Sequence, residues 1–225
     1  MLNADAPGRI ESVNRAARAR YDLPARAGST GIDKQPVIGP VRLGAGGVEG
    51  DTIVALDDHG GPDQAVYAYS VDDLRWLATE FDRSVGPGGA GENLTVSGVD
   101  CSHAVIGERW QVGGAVLQVR AARTPCRTFA GFLGVPDLVK RFIAGGRPGA
   151  YLAVVQPGTV RAGDPVRVLD RPDHGVTTAD VMAARTVDRD RVPHVAAARE
   201  FLGARERAWL ERVHDARVRG AAAAG

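Results

Sequence analysis

Cys126 is the residue of this chain best suited to chemistry by its type and setting. It stands in Arg123-Thr124-Pro125-Cys126-Arg127, just past the alternating run from Val116 to Arg120. A strand ends there and Pro125 turns the chain, so a lone thiol sits on a constrained loop with arginine neighbours. Such a thiol is a candidate thiolate, which is the form that attacks carbon or binds a soft metal. Two polar, glycine-bracketed segments precede it, His59-Gly60-Gly61-Pro62-Asp63 and Gly91-Glu92-Asn93-Leu94-Thr95. They supply an imidazole and an amide. A third, Gly31-Ile32-Asp33-Lys34-Gln35-Pro36-Val37, supplies an ammonium at the start of a strand.

Each of these has a plainer reading. A cysteine outside a disulfide is most often a small buried hydrophobe. Gly-Gly-Pro is a turn that His59 can simply brace. The glycine pile Gly86-Pro87-Gly88-Gly89-Ala90 lacks the Gly-Lys-Ser/Thr ending of a phosphate-binding loop, and no helix follows it as a dinucleotide fingerprint requires. Asn93 can donate its amide to a cofactor oxygen or serve only a loop. A lone lysine such as Lys34 is usually solvated. Cys101, in Gly98-Val99-Asp100-Cys101-Ser102-His103, has no basic neighbours and reads as structural.

These residues must be held by a fold, and the composition bounds it. The chain has 225 residues, 44% hydrophobic and 24% charged, with a net charge of +1. That is an ordinary globular balance for one substantial domain, with no global field to draw nucleic acid or membranes. Two cysteines cannot form a disulfide framework, and their scarcity suits a reducing compartment. No apolar run approaches the ~18 residues of a membrane span. The first residues lack a basic stretch followed by an apolar one, so no secretory signal is expected. The expectation is a cytoplasmic protein without nucleic-acid or membrane partners.

Twenty-nine glycines punctuate short apolar or alternating runs. Strands are expected at Ile10–Val13, Val37–Leu43, Ile53–Leu56, Ala65–Tyr69, Leu94–Val96, Arg109–Val112, Ala115–Arg120, Tyr151–Val155 and Val166–Leu169. The pattern is that of a mainly β chain, a barrel or sandwich. Ser70 reads as the N-cap of a helix whose apolar face is Leu74, Leu77, Ala78 and Phe81. A second helix is expected over Asp137–Ala144. Past a linker at Arg171–Gly175 the β-patterns end. Helices are expected from Thr178 to Arg185, over Val192–Leu202, and over Ala204–Val218 with Trp209, Leu210 and Val213. Three helices in about 45 residues make too small a core to stand alone, so they need a surface to pack on. The expected organisation is a barrel over 1–170, a three-helix domain over 175–219, and a frayed tail over 220–225.

In this order, Gly31-Ile-Asp-Lys-Gln-Pro-Val37, Gly47-Val-Glu-Gly-Asp51, His59-Gly-Gly-Pro-Asp63, Gly91-Glu-Asn-Leu-Thr95 and Arg123-Thr-Pro-Cys126 resemble the MOSC family, named for the C-terminal domain of molybdenum cofactor sulfurase. Gly158–Asp164 looks like the family's last barrel turn, and the helical ending looks like that of its YiiM-like subgroup. The resemblance implies a MOSC-type β-barrel that binds the molybdenum cofactor, a pterin with a phosphate and a metal-binding dithiolene. It implies Cys126 as the thiolate on the metal and as the catalytic residue. Lys34 and Arg123 match positions that neutralise the cofactor phosphate, and His59 and Asn93 match positions beside the cofactor. Pyridoxal phosphate binding is a further family-level implication. The implied reaction is reduction of N-hydroxylated compounds, hydroxylaminopurine-type bases among them, to amines, with electrons from a separate reductase. The chain departs from the pattern at Ala55, where an acid is expected, at Gln64, where Lys or Arg is expected, and in the acidic pair Asp57 and Asp58. These departures leave Cys126 in place and bear on substrate choice.

Three other functions compete with this one. A carrier would hold molybdenum cofactor without turnover and keep Cys126. A thiol hydrolase using Cys126 and His59 would react with electrophiles and need no metal, yet no oxyanion-hole loop is visible beside Cys126. The last is a purely structural barrel.

Overall fold

A computed structural model gives the fold of residues 7–54 and 60–223, with side chains described as far as Val213. Eleven strands and six helices follow the chain in this order: β1 (Gly8–Arg15), β2 (Gln35–Pro36), β3 (Val41–Gly44), β4 (Gly47–Val48), β5 (Val66–Ser70), α1 (Val71–Phe81), β6 (Leu94–Ser97), β7 (Arg109–Val112), β8 (Ala115–Ala121), α2 (Arg127–Leu133), α3 (Leu138–Gly145), β9 (Ala150–Gln156), β10 (Gly158–Val160), β11 (Pro165–Asp170), α4 (Thr178–Thr186), α5 (Val192–Ala196) and α6 (Ala204–Ala223).

Seven strands close on themselves in the order β11-β7-β8-β9-β5-β6-β1, and β1 pairs back to β11 through Gly8 and Arg9 opposite Val166 and Pro165. A register shift between Ile10 and Ser12 bends β1. Its start can then serve β11, its middle β6, and its end β2. β5 and β6 are parallel, as strands joined by the crossover helix α1 can be. A small side sheet, β10-β3-β4, lies outside the closed ring. This is the mainly β barrel with helical additions that the sequence indicates.

The strands expected at Ile10–Val13, Ala65–Tyr69, Leu94–Val96, Arg109–Val112, Ala115–Arg120, Tyr151–Val155 and Val166–Leu169 are present within a residue or a few at each end. Val37–Leu43 is not one strand. The turn through Gly39, at φ 91°, and Pro40 interrupts it, so that only its end, from Val41, is strand, as β3 in the side sheet, while β2 on β1 ends before Val37. Ile53 and Val54 carry no strand, and Leu56 lies outside the described residues. Ser70 accepts the Asp73 N–H at 2.9 Å and caps α1 as expected. Helix α2 was not anticipated, because seven residues give too little periodicity to read. Helix α4 starts at Thr178 as expected, and Thr177 caps it in a reciprocal pair with Asp180. The helix expected over Val192–Leu202 stops at Ala196 and continues as turns. Helix α6 runs to Ala223, past the expected end at Val218 and into the expected frayed tail.

The tail does not stand apart from the barrel. Val176, Val181, Met182, Val195, Leu202 and Trp209 join Ile106, Trp110 and Phe129 in one buried cluster. No helix among the described residues is long and apolar enough to cross a membrane.

Candidate functional site

Lys34, Asn93, Arg123 and Cys126 all line one cleft of about 870 Å³. Residues roughly ninety positions apart meet there because the barrel ends of β1, β5, β6 and β8 converge. His59 lies outside the described residues, although its neighbour Gly60 lines the same cleft.

The organising residue is one to which the sequence assigned no role. The Asp51 side chain is nearly enclosed, and it engages three partners. Its Oδ1 accepts the Ala16 N–H at 2.7 Å. Its Oδ2 pairs with the Lys34 ammonium and accepts a hydrogen bond from Asn93 Nδ2 at 2.9 Å. Gly31 makes this possible, because a Cβ there would collide with the Thr52 carbonyl. The Lys34 segment therefore lies directly on the Asp51 segment. Burial pulls the Lys34 pKa below the usual lysine value, and Asp51 opposes that pull.

Asn93 acts as a brace. Its Nδ2 also donates to the Asn14 carbonyl at 3.2 Å, and its Oδ1 accepts the Tyr67 N–H at 3.1 Å. Both amide protons are thereby engaged within the protein, and the side chain ties β1, β5 and Asp51 together. Next to it Glu92 is fully buried. It accepts from Gly88 N–H at 2.6 Å, Ala90 N–H at 3.0 Å and Thr95 Oγ1 at 2.8 Å. Burial pushes its pKa up, against the pull of those donors. The glycine loop is thus wrapped round a carboxylate. Gly88, at φ 84°, packs where any Cβ would strike the Lys34 carbonyl.

Arg123 is 5% exposed and forms part of the cleft floor. Its guanidinium donates to the Ala90 carbonyl and stacks 3.9 Å from the Phe129 ring centroid and 5.2 Å from that of Tyr67. Burial lowers its pKa, but Tyr67, Tyr151 and Cys126 more than offset this and keep it a cation. Cys126 is half-buried and occupies the N-cap position of α2 with extended backbone, φ −133° and ψ 170°. It shares an electrostatic cluster with Arg123 and Tyr151, where burial raises the phenol pKa. Neither cysteine is in a disulfide. Cys101 is fully enclosed, and burial pushes its thiol well above the usual range, as a structural cysteine requires.

Four cationic side chains, Arg26, Lys34, Arg123 and Arg127, face one carboxylate, Asp51, among the described lining residues. Lys34 and Arg123 are buried, whereas Arg26 and Arg127 are exposed at the rim. Tyr67, Tyr151, Ile32 and Ile53 give the cleft apolar walls. The arrangement suits a flat, partly aromatic molecule that carries negative charge. Among the described residues no cluster of three or more His, Cys, Asp or Glu could hold a bare metal ion. A metal here would need ligands of its own besides Cys126.

Comparison with known proteins agrees with this architecture. The solved structure of YiiM from Geobacillus stearothermophilus superposes with a TM-score of 0.76 at 25% identity, covering 92% of this chain and 99% of that one. The uncharacterized protein YflK of Bacillus subtilis is 34% identical over 168 residues, 75% of this chain and 76% of that protein. A Gibberella moniliformis protein named "Reductase" is 32% identical over 170 residues, 74% of this chain but 30% of its own length. The MOSC domain family model matches residues 55–167. The chain belongs to the MOSC domain family.

Proposed function

We propose that the cleft holds molybdenum cofactor, with the Cys126 thiolate as the protein's ligand to the metal, and that the protein reduces N-hydroxylated compounds to amines. The observation that carries this reading is the convergence of Lys34, Asn93, Arg123 and Cys126 on one cleft. Membership of the MOSC family and a relative named reductase support it. The residues fit the group. The thiol is a soft donor, the volume admits a pterin, and the cations match a phosphate. A pyridoxal phosphate would need an unengaged lysine amine, and the lining Lys34 is already held by Asp51.

In this reading the exposed guanidiniums of Arg26 and Arg127 meet the phosphate first. Buried Lys34 and Arg123 add field rather than direct contact, since both are engaged by Asp51 and Ala90. When bound, the cofactor supplies two-electron oxygen-abstraction chemistry. The overall change consumes an N–OH group, two electrons and two protons, and yields an N–H group and water. The electrons come from a separate reductase protein, a partner outside this chain.

The test is elemental analysis of protein made in a cofactor-competent host, followed by assay with reduced viologen as donor. Loaded protein converts hydroxylaminopurine to adenine, and Cys126→Ser protein does not. Molybdenum-loaded protein that reduces neither hydroxylamines nor amidoximes overturns the reductase reading and leaves a carrier.

A further inference from the structure

We infer that residues 21–29 form a lid over the cleft, hinged where Arg20 pairs with Thr30 and latched on α2 at Thr128 and Gly131, and that it swings out to admit a ligand. This goes beyond the proposed function, since it concerns access to the cleft whatever fills it.

The lid begins and ends at one place. Arg20 and Thr30 exchange both backbone hydrogen bonds, at 2.7 and 2.8 Å, as an isolated antiparallel bridge. The Arg20 guanidinium fastens that neck, with Nε on Asp22 Oδ1 at 2.7 Å and a terminal nitrogen on Asp33 Oδ2 at 2.6 Å. Between the two ends the chain makes a loop closed at its own base. Its residues Pro24, Ala25, Arg26 and Ala27 line the cleft that Cys126 also lines.

At the tip the attachment is slight. Thr128 Oγ1 donates to the Pro24 carbonyl at 2.9 Å, and the Pro24 ring rests on Gly131, where a Cβ would fall 2.5 Å from it. Among the described residues, none of 21–29 joins the buried apolar core or packs an apolar side chain against it. Apolar burial is what usually holds a segment down, and here a neutral hydrogen bond and a proline contact stand in its place. A firm neck with a weakly held tip is the arrangement of a hinge and a latch. The latch stands on the helix whose first turn follows Cys126, so release of the tip opens the cleft beside the thiol.

Alkylation of Cys126 in the full-length chain, grown without molybdate and read by peptide mass analysis, tests this. A small reagent, iodoacetamide, is compared with a bulky one, fluorescein maleimide. Thr128→Val removes the latch bond, and Gly131→Val wedges a side chain against Pro24. Both are expected to raise the bulky reagent's rate about tenfold, the value of one well-made hydrogen bond, and the small reagent's rate much less. Replacing 21–29 by Asn-Gly, a two-residue turn that fits an antiparallel pair, removes the lid without touching α2. It is expected to give at least the same gain with an unchanged melting temperature, because no core residue is lost. Trypsin separates lid release from a loosened helix. In Thr128→Val, cleavage after Arg26 is expected to accelerate while cleavage after Arg127 does not. Unchanged maleimide rates in these variants, equal acceleration at Arg26 and Arg127, or unfolding of the Asn-Gly variant overturns the lid.

Discussion

The Asp63 carboxylate accepts the Ala204 N–H at 2.8 Å, so the turn beside the cleft caps the long C-terminal helix. Its other oxygen takes Arg120 Nε at 3.0 Å, and the Arg120 carbonyl accepts the Gly203 N–H at 2.9 Å. The Pro62–Gln64 turn, β8 and α6 are thus one bonded unit, and Gly203 approaches Asp63 so closely that a Cβ there would fall 2.9 Å from it. Asp63→Ala is expected to cost about 1 kcal/mol, the usual value of a lost N-cap, read as a lower urea midpoint. Asp63→Asn retains a capping oxygen and is expected to lose less. Equal stability of all three proteins would mean that the cap contributes nothing.

The shared core makes a second prediction. A chain ending at Arg171 exposes the barrel residues that Val181, Met182, Leu202 and Trp209 cover. It is expected to keep β-type circular dichroism while melting lower and aggregating, since such a patch on a monomer is an association surface. Complete loss of β-signal would place the barrel's boundary beyond Arg171.

The pair of Asp51 and Lys34 is almost excluded from water, with side chains 3% and 9% exposed. Removing one member leaves a buried charge alone, which costs about 3–5 kcal/mol. Asp51→Asn is expected to lose that much stability in urea denaturation. The double variant Asp51→Asn with Lys34→Met is expected to recover part of it, because the stranded ammonium is gone. Additive losses would show that the two charges do not stabilise one another.

How far the site was legible follows from where its bonds run. The buried and exposed alternation of β1 and the Ser70 cap of α1 are local, and sequence reads both. The motif residues Lys34, Asn93, Arg123 and Cys126 were found as ordered segments, and the barrel gathers them. Asp51 was quoted in its motif without a role, because that role exists only where residues 16, 34 and 93 meet it. Tyr151 read simply as a strand residue, since nothing local marks its cross-strand partner Tyr67. The short helix α2 left no periodicity to find, although Gly134, at φ 66°, is the C-cap that could have marked its end.

The capping box of α4 gives a pH dependence. Burial works to raise the Asp180 pKa, but bonds from the Thr177 hydroxyl and N–H, with His194 and Arg191, hold it below the usual carboxylate value. A carboxylate with a depressed folded-state pKa binds fewer protons folded than unfolded through that window. Its contribution is therefore complete above the ordinary value and is lost as pH falls through the folded one. The stability gap between wild type and Asp180→Ala, about 1 kcal/mol near neutral pH, is expected to narrow as pH falls below the ordinary carboxylate value of about 3.9. A gap that stays constant to acid pH would locate the effect in packing rather than in charge.

The two thiols differ in ways that a labelling experiment can read. Cys101 is fully enclosed, and burial keeps it a thiol. Cys126 is half-exposed on the wall of a cleft that also carries Arg123 and Arg127. Alkylation with iodoacetamide under native conditions, followed by peptide mass analysis, is expected to modify Cys126 and spare Cys101. Molybdenum loading is expected to protect Cys126, because a thiolate engaged by a metal is no longer a nucleophile toward the reagent. Cys126→Ser is expected to lose the metal, while Cys101→Ser keeps it at the cost of some stability. Protection without loss of metal in Cys126→Ser would mean that the cofactor merely covers the thiol. Equal labelling of both thiols would remove Cys126 from the centre of the site.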